Sequence, residues 1–287
     1  MFEPHHLKKL RRYVTFCVNE KEVRPTKFHN KYNPYHRKQS TYDLIKRAVR
    51  DKIIFEPRLL CVPDMNVEFV KFEGVPRVDL YKEKLEDENV TYVLALAGAY
   101  SLIYFEYGKR ILNYVECTTP QYPSSYTFDN LDPFKYGKGK LPEMAKPERW
   151  SNLHWDVYKA RNNPRRSSVE VGEELNVTAA TVLNYFYEIL KDCRIWIPFF
   201  PNGYLNYTNY VVTLKTNYEV GLTKELRKLD RSSYIYKAGD VLILSLFFDR
   251  YLEIESFLKM EKEGIIHDLR VSFPVRFKNI FYKALWD

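Results

Sequence analysis

Gln39, Tyr42, Lys46 and Arg50 fall three, four and four residues apart, so on a helix they share one face. Glutamine can pair bidentately with adenine, and arginine or lysine with guanine O6 and N7. Arg37, Lys38, Ser40 and Thr41 cluster where that helix would begin, a place suited to phosphate oxygens. Lys27 and Lys31 precede it and Arg47 lies within it, which extends the same basic surface. Residues 24–52 hold nine Lys/Arg against two acids, Asp43 and Asp51, whereas an ordinary surface mixes its signs. The chemistry this implies is contact with double-stranded DNA.

Nothing comparable points to catalysis. His5, His6, His29, His36, His154 and His267 make no His-carboxylate-nucleophile pattern, and no glycine-rich phosphate loop is present. Cys17, Cys61, Cys117 and Cys193 lack CxxC spacing and a nearby histidine. They read as idle thiols in a reducing compartment, not as zinc ligands or disulfides. No cofactor, no metal and no enzymatic activity is expected.

The elements that position the basic face occur twice. QSTYDLIKRAVRDKIIFEP (39–57) is matched by ATVLNYFYEILKDCRIWIP (180–198): Asp51 with Asp192, Ile54 with Ile195, Phe55 with Trp196, Pro57 with Pro198. Each pair is 141 positions apart, and so are the Ala-Gly of LALAGAYSLIYF (Gly98) and that of YIYKAGDVLILSLFF (Gly239). A period this long means two domain-sized copies, not a solenoid. Within 287 residues, 45% hydrophobic and 16% aromatic, each copy has material for a core. The net charge of +8 is concentrated: residues 1–65 carry 15 Lys/Arg and 7 Asp/Glu, while 151–200 carry six of each.

Three short helices are expected per copy, in the first at about His5–Val18, near Arg24–Tyr32, and at Lys38–Lys52, where Leu44, Ile45, Ala48, Val49 and Ile53 make one stripe. Strand signals then take over: Val67–Phe72, a helix at Val78–Leu85, a hairpin at Val90–Leu96 and Tyr100–Tyr107, and the start of a helix at Arg110–Cys117. The second copy repeats the order, with strands at Tyr207–Leu214, Ser233–Tyr236, Val241–Phe248 and Leu269–Phe277, and helices at Leu222–Leu229 and Tyr251–Glu263. The proline-rich stretch Thr118–Trp150 is the joint, with one short strand expected near Ser125–Phe128. The fold class is therefore α+β, as two tandem copies of a winged helix-turn-helix followed by a ferredoxin-like βαββαβ domain. The expected boundaries are 1–62 and 63–130 for the first copy, 131–150 for the linker, and 151–203 and 204–287 for the second. The uncharged run Val90–Phe105 is too short to span a bilayer, and the basic start has no apolar signal-peptide core, so no membrane partner is expected.

AVRDKIIFEP with ALAGAYSLIYF, and EILKDCRIWIP with YKAGDVLILSLFF, resemble the Lrp/AsnC (feast/famine) transcriptional regulators. The resemblance covers nearly the whole chain outside the linker. It implies a sequence-specific regulator of promoter DNA, cytoplasmic and nucleoid-associated, contacting DNA mainly through the first helix-turn-helix. In that family the hairpin lines a site for amino-acid effectors, which carries over to Gly98, Tyr100, Gly239 and Asp240. The family normally has one unit per chain and dimerises through its sheets, so the duplication implies an internal pseudo-dimer, with a homodimer as a further assembly. A non-specific architectural DNA binder is the alternative. Sirohaem decarboxylases also resemble this fold and occur as paired units. They are marked by a His-Asn-Tyr cluster with an arginine near the second strand. The corresponding strands here, NVTYVLALAG and DRSSYIYKAG, have neither the histidine nor a following arginine.

Overall fold

The computed structural model describes residues 2–62, 64–74, 77–108, 111–144, 147–249 and 254–279. Its first half opens with three helices, α1 (Pro4–Glu20), α2 (Pro25–Tyr32) and α3 (Lys38–Arg50). Prolines at the first turn of α1 and α2 sit where a helix needs no amide donor. Three more helices, α5 (Asn152–Ala160), α6 (Ser168–Leu175) and α7 (Ala179–Asp192), open the second half. Their starts are fixed by caps: Ser167 accepts from the Val169 amide and Thr178 from the Thr181 amide.

The two helical groups share one core. Tyr13, Phe28, Ile45 and Ala48 meet Val157, Val171, Val182 and Ile189 there. Beneath them β1 (Arg58–Leu60) pairs antiparallel with β6 (Arg194–Trp196), one strand from each half. Arg165 crosses between the halves, its guanidinium 2.6 Å from both Glu56 and the Tyr13 hydroxyl.

The remaining strands make one antiparallel sheet from β2 (Met65–Lys71), β3 (Val90–Gly98), β4 (Tyr100–Tyr107), β5 (Leu112–Cys117), β7 (Thr208–Thr216), β8 (Tyr234–Ala238), β9 (Val241–Phe248) and β10 (Ile266–Asn279). Their order is β2-β4-β3-β10-β7-β9-β8-β5, so the last strand of each half is handed to the other half. β10 pairs with both β3 and β7, and β5 with β8. The Ile111 amide donates to the Met65 carbonyl at 2.9 Å, which brings the two edges of the sheet together. The inner face joins Leu94, Leu96, Ile103 and Phe105 to Val115, Val211 and Ile243 in one cluster.

The outer face is covered unequally. α8 (Glu219–Leu226) and α9 (Glu255–Lys262) flank the second half, where Val212, Leu214, Leu244 and Phe248 share a cluster with Leu222, Leu226 and Phe257. On the first half, among the described residues, α4 (Val78–Glu86) alone packs there, with Tyr81 against Val93 and Leu102. The reason corrects one expectation. Arg110–Cys117, read as the start of a helix, contains strand β5, whose Leu112, Tyr114 and Val115 are buried and whose backbone completes the edge of β8. Tertiary pairing has overridden local preference. The short strand expected at Ser125–Phe128 is also absent; Phe128–Asn130 forms a 3-10 turn, and Phe128 stacks on Phe248 at 4.1 Å.

The joint itself is clamped to α8. Buried Glu219 accepts from the Leu141 amide and pairs with Lys140 and Lys237, and buried Glu225 pairs with Lys135 and Lys228. A Cβ on Gly221 would lie 2.3 Å from the Pro133 carbonyl oxygen, so only glycine admits this crossing.

Candidate active site at the junction of the two halves

The basic residues of the first helical group are partly committed to partners within the chain. Thr41 is buried and hydrogen-bonded to His29 at 2.8 Å. Gln39 donates to Asp43, Lys31 pairs with Glu20, and Arg50 pairs with Asp51. The Arg47 guanidinium lies 4.1 Å from the centre of the Phe2 ring. Lys27, Arg37, Lys38, Tyr42 and Lys46 are exposed, and Ser40 is half-buried at the start of α3.

The four hairpin residues separate into two unlike places. Gly98 lies in β3 opposite Ser272 with φ of 124°, and a Cβ there would be 2.6 Å from the Val271 carbonyl oxygen. Buried Tyr100 donates its amide to Ser272 Oγ at 3.1 Å. Gly239 and Asp240 form a two-residue turn after Ala238, which pairs with Val241. Asp240 reaches Lys215 at 3.0 Å, which holds its carboxyl below the usual range. In the first half the last β3–β4 pair is Ala95 with Leu102, so the loop is longer and the two glycines are not structural equivalents.

A cavity of about 340 Å³ opens between α1, the β1–β6 pair, β5 and the end of α8. Val18, Leu60, Val115, Ile195 and Trp196 give it apolar walls, and Lys21, Arg194 and Arg227 bring three cations to it. Arg227 forms a two-pronged pair with Glu116, at 2.7 and 2.8 Å. Hydrogen bonding to Glu116 raises the Arg227 guanidinium above its ordinary range, against the opposing effect of burial. The Tyr114 hydroxyl donates to the same carboxylate; burial, then the Glu116 charge, push that phenol up. Arg194 lies over the Tyr114 ring at 5.1 Å and donates to the Val115 carbonyl at 3.4 Å. Lys21, in a left-handed cap at φ 50°, donates to the Leu190 and Lys191 carbonyls at the end of α7. Trp196 is backed by Tyr234 at 5.0 Å and Tyr236 at 6.0 Å. Cys117 lines the cavity, but burial pushes its thiol up and leaves it a poor nucleophile. Two arginines and a lysine beside an indole suit an anionic ligand with a flat, apolar body.

None of these residues was given a binding role from the sequence, where Trp196 served only as a repeat match and Cys117 as an idle thiol, because they are scattered at 21, 116, 194, 196 and 227. The repeat held one usable signal. At the spacing of 141, Arg194 stands where the first half has Ile53, Arg227 where it has Glu86, and Trp196 where it has Phe55.

No family model matches the chain, and no curated protein matches it in sequence. Two solved structures do match over nearly its whole length. The crystal structure of the siroheme decarboxylase NirDL in complex with an iron-uroporphyrin III analogue superposes with a TM-score of 0.53 at 7% identity, covering 94% of this chain and 92% of that one. A crystal structure of siroheme decarboxylase NirDL gives 0.52 at 9% identity, over 95% of this chain and 91% of that one. The likeness establishes a shared α+β fold. It also corrects the expectation of an Lrp/AsnC regulator without enzymatic activity, nucleoid-associated and partnered by double-stranded DNA. Both matched structures are of an enzyme, neither is a transcription regulator, and the first carries a tetrapyrrole where DNA had been expected as the partner. Among the described residues no helix is long and apolar enough to cross a membrane.

Proposed function

We propose that this chain is a tandem duplication of a helix-turn-helix and ferredoxin-like unit that works as one enzyme, a decarboxylase of iron tetrapyrroles of the uroporphyrin class. The observation that carries the proposal is the concentration of Lys21, Arg194 and Arg227 around Trp196 at a single junction of the halves. The name of the structures sharing its fold over more than nine-tenths of the chain supports it.

A uroporphyrin-type ring is flat, aromatic and rimmed with carboxylates. Trp196 offers a face for one edge of the macrocycle, and the cations offer partners for its side-chain carboxylates. Arginine suits this role because its planar fork meets a carboxylate bidentately. A cavity of about 340 Å³ holds an edge of such a ring and leaves the rest directed outwards. In the reaction the bond between carboxyl carbon and methylene breaks, carbon dioxide leaves, and the electron pair remaining on the methylene takes up a proton. The cations serve by binding and orienting the carboxylates that are not lost. Apolar Val18, Leu60, Val115 and Ile195 thin the water around the one that is, which favours loss of charge as neutral carbon dioxide.

The test is titration with iron-uroporphyrin III followed by its Soret band, then anaerobic incubation with mass analysis of the tetrapyrrole. A saturable Soret shift, weakened in Arg194→Ala, with product masses lower by carbon dioxide is the expected result. Absence of binding, or binding indifferent to Arg194 and Arg227, would overturn the site. Binding with no loss of carbon dioxide would overturn the reaction.

A further inference from the structure

Antiparallel β1 and β6 pair Arg58 with Trp196, Leu59 with Ile195 and Leu60 with Arg194. Cys61 and Cys193 flank the Leu60–Arg194 end of that ladder, and their side chains lie against each other. Both are free thiols and buried, at 4% and 2% exposure, and both belong to the core beneath the helices together with Leu59 and Ile195. Leu60 and Arg194, on the alternate face of the same strands, line the cavity. The two cysteines come from opposite halves, and the repeat does not explain them: position 202, equivalent to Cys61, is Asn, and position 52, equivalent to Cys193, is Lys.

We propose that Cys61 and Cys193 are a thiol-oxidation site, closing to a disulfide that staples the two halves of the chain together. Carried one residue beyond Leu60 and Arg194, that register would hold the two Cα atoms about 4.5–5.5 Å apart, inside the range a disulfide spans. The chemistry is two-electron exchange with a small-molecule disulfide. One protein thiol loses its proton and attacks a sulfur of oxidised glutathione, releasing one glutathione as thiol. The second protein thiol then attacks the mixed disulfide and releases the other. Two S–H bonds are lost from the protein, one S–S bond forms in it, and the reagent S–S bond becomes two S–H bonds. Burial, then the Cys61 thiol beside it, push the Cys193 thiol well up, so closure is slow at neutral pH and accelerates as pH rises.

The probe is oxidised glutathione on the intact chain, followed by unfolding, alkylation and peptide mass analysis, with a urea melt of the same sample. Expected are the loss of two of the four alkylatable thiols, one Cys61–Cys193 cross-linked peptide, and a raised urea midpoint that reductant reverses. Cys61→Ser and Cys193→Ser, which still unfold cooperatively, each lose the cross-link and the rise. Four thiols still open to alkylation, a bridge to Cys17 or Cys117, glutathione left as a mixed disulfide, or a cross-link without a raised midpoint would each overturn the proposal.

Discussion

The two junctions where a strand from one helical group meets the sheet have diverged into opposite things. Around Trp196 there is a cavity bordered by Lys21, Arg194 and Arg227. Around Phe55, its counterpart 141 residues earlier and half-buried, aromatic rings cluster instead. Phe55 meets Phe200 at 6.1 Å and Tyr204 at 5.3 Å, and Phe247 lies 4.7 Å from Phe200, ring centre to ring centre. Duplication supplies two copies of one surface. Here one holds a cluster of aromatics that packs residues of the two halves together, and the other is open and charged. At the spacing of 141, Ile53 stands where the open side has Arg194 and Glu86 where it has Arg227, and residues 53–55 make only an isolated bridge, Ile54 to Phe199, where the second half has strand β6.

Five substitutions sharpen or break that contrast. The largest effect belongs to the aromatic side. Phe200 is fully buried among aromatics, so Phe200→Ala should cost roughly 3–5 kcal/mol in a urea melt. A loss under about 1 kcal/mol would mean that the aromatics are not what holds this junction together. Next come the two glycines that the repeat aligns. Gly98→Ala drives a methyl into the β10 backbone and should destabilise by more than about 2 kcal/mol, whereas Gly239→Ala, with open space around it, carries only its positive-φ strain of about 1 kcal/mol. Equal losses would show the two turns to be equivalent after all.

On the open side the signature reverses. Arg194 is exposed, so Arg194→Ile, which installs the first half's residue type, should leave stability within about 0.5 kcal/mol. It should weaken iron-uroporphyrin III binding by roughly tenfold or more, the worth of one charge-assisted contact. A stability loss with unchanged binding would reverse the roles assigned to the two junctions. The smallest effect is expected at Asp240. Its carboxyl titrates below the usual range because of Lys215, so the pair stabilises the fold above the unfolded carboxyl pKa and is lost as pH falls through the folded one. Both side chains are well exposed, so Asp240→Asn should cost under about 1 kcal/mol at pH 7, seen as a shallower acid melt.

Much of this architecture was legible in the sequence. The apolar stripe of Leu44, Ile45 and Ala48 marked α3, and short apolar runs marked β3, β4, β7 and β9, because those signals are local. Strand β5 was not legible: its partner β8 lies more than a hundred residues away, and nothing within Leu112–Cys117 announces that pairing. The site escaped for the same reason. Lys21, Glu116, Arg194 and Arg227 belong to four separate elements and converge only when the halves dock. The basic run of residues 24–52 stood out because it is contiguous, yet Glu20, Asp43 and Asp51 already engage Lys31, Gln39 and Arg50. Contiguity in sequence drew attention to charge, while convergence in space made the cavity.

The most direct test is the stoichiometry of iron-uroporphyrin III binding, measured by calorimetry on the wild-type chain and on Arg194→Ile. One molecule bound per chain, with binding sharply weakened in the variant, is the predicted result. Two equal sites per chain, or one site untouched by the substitution, would contradict a single working junction at Trp196.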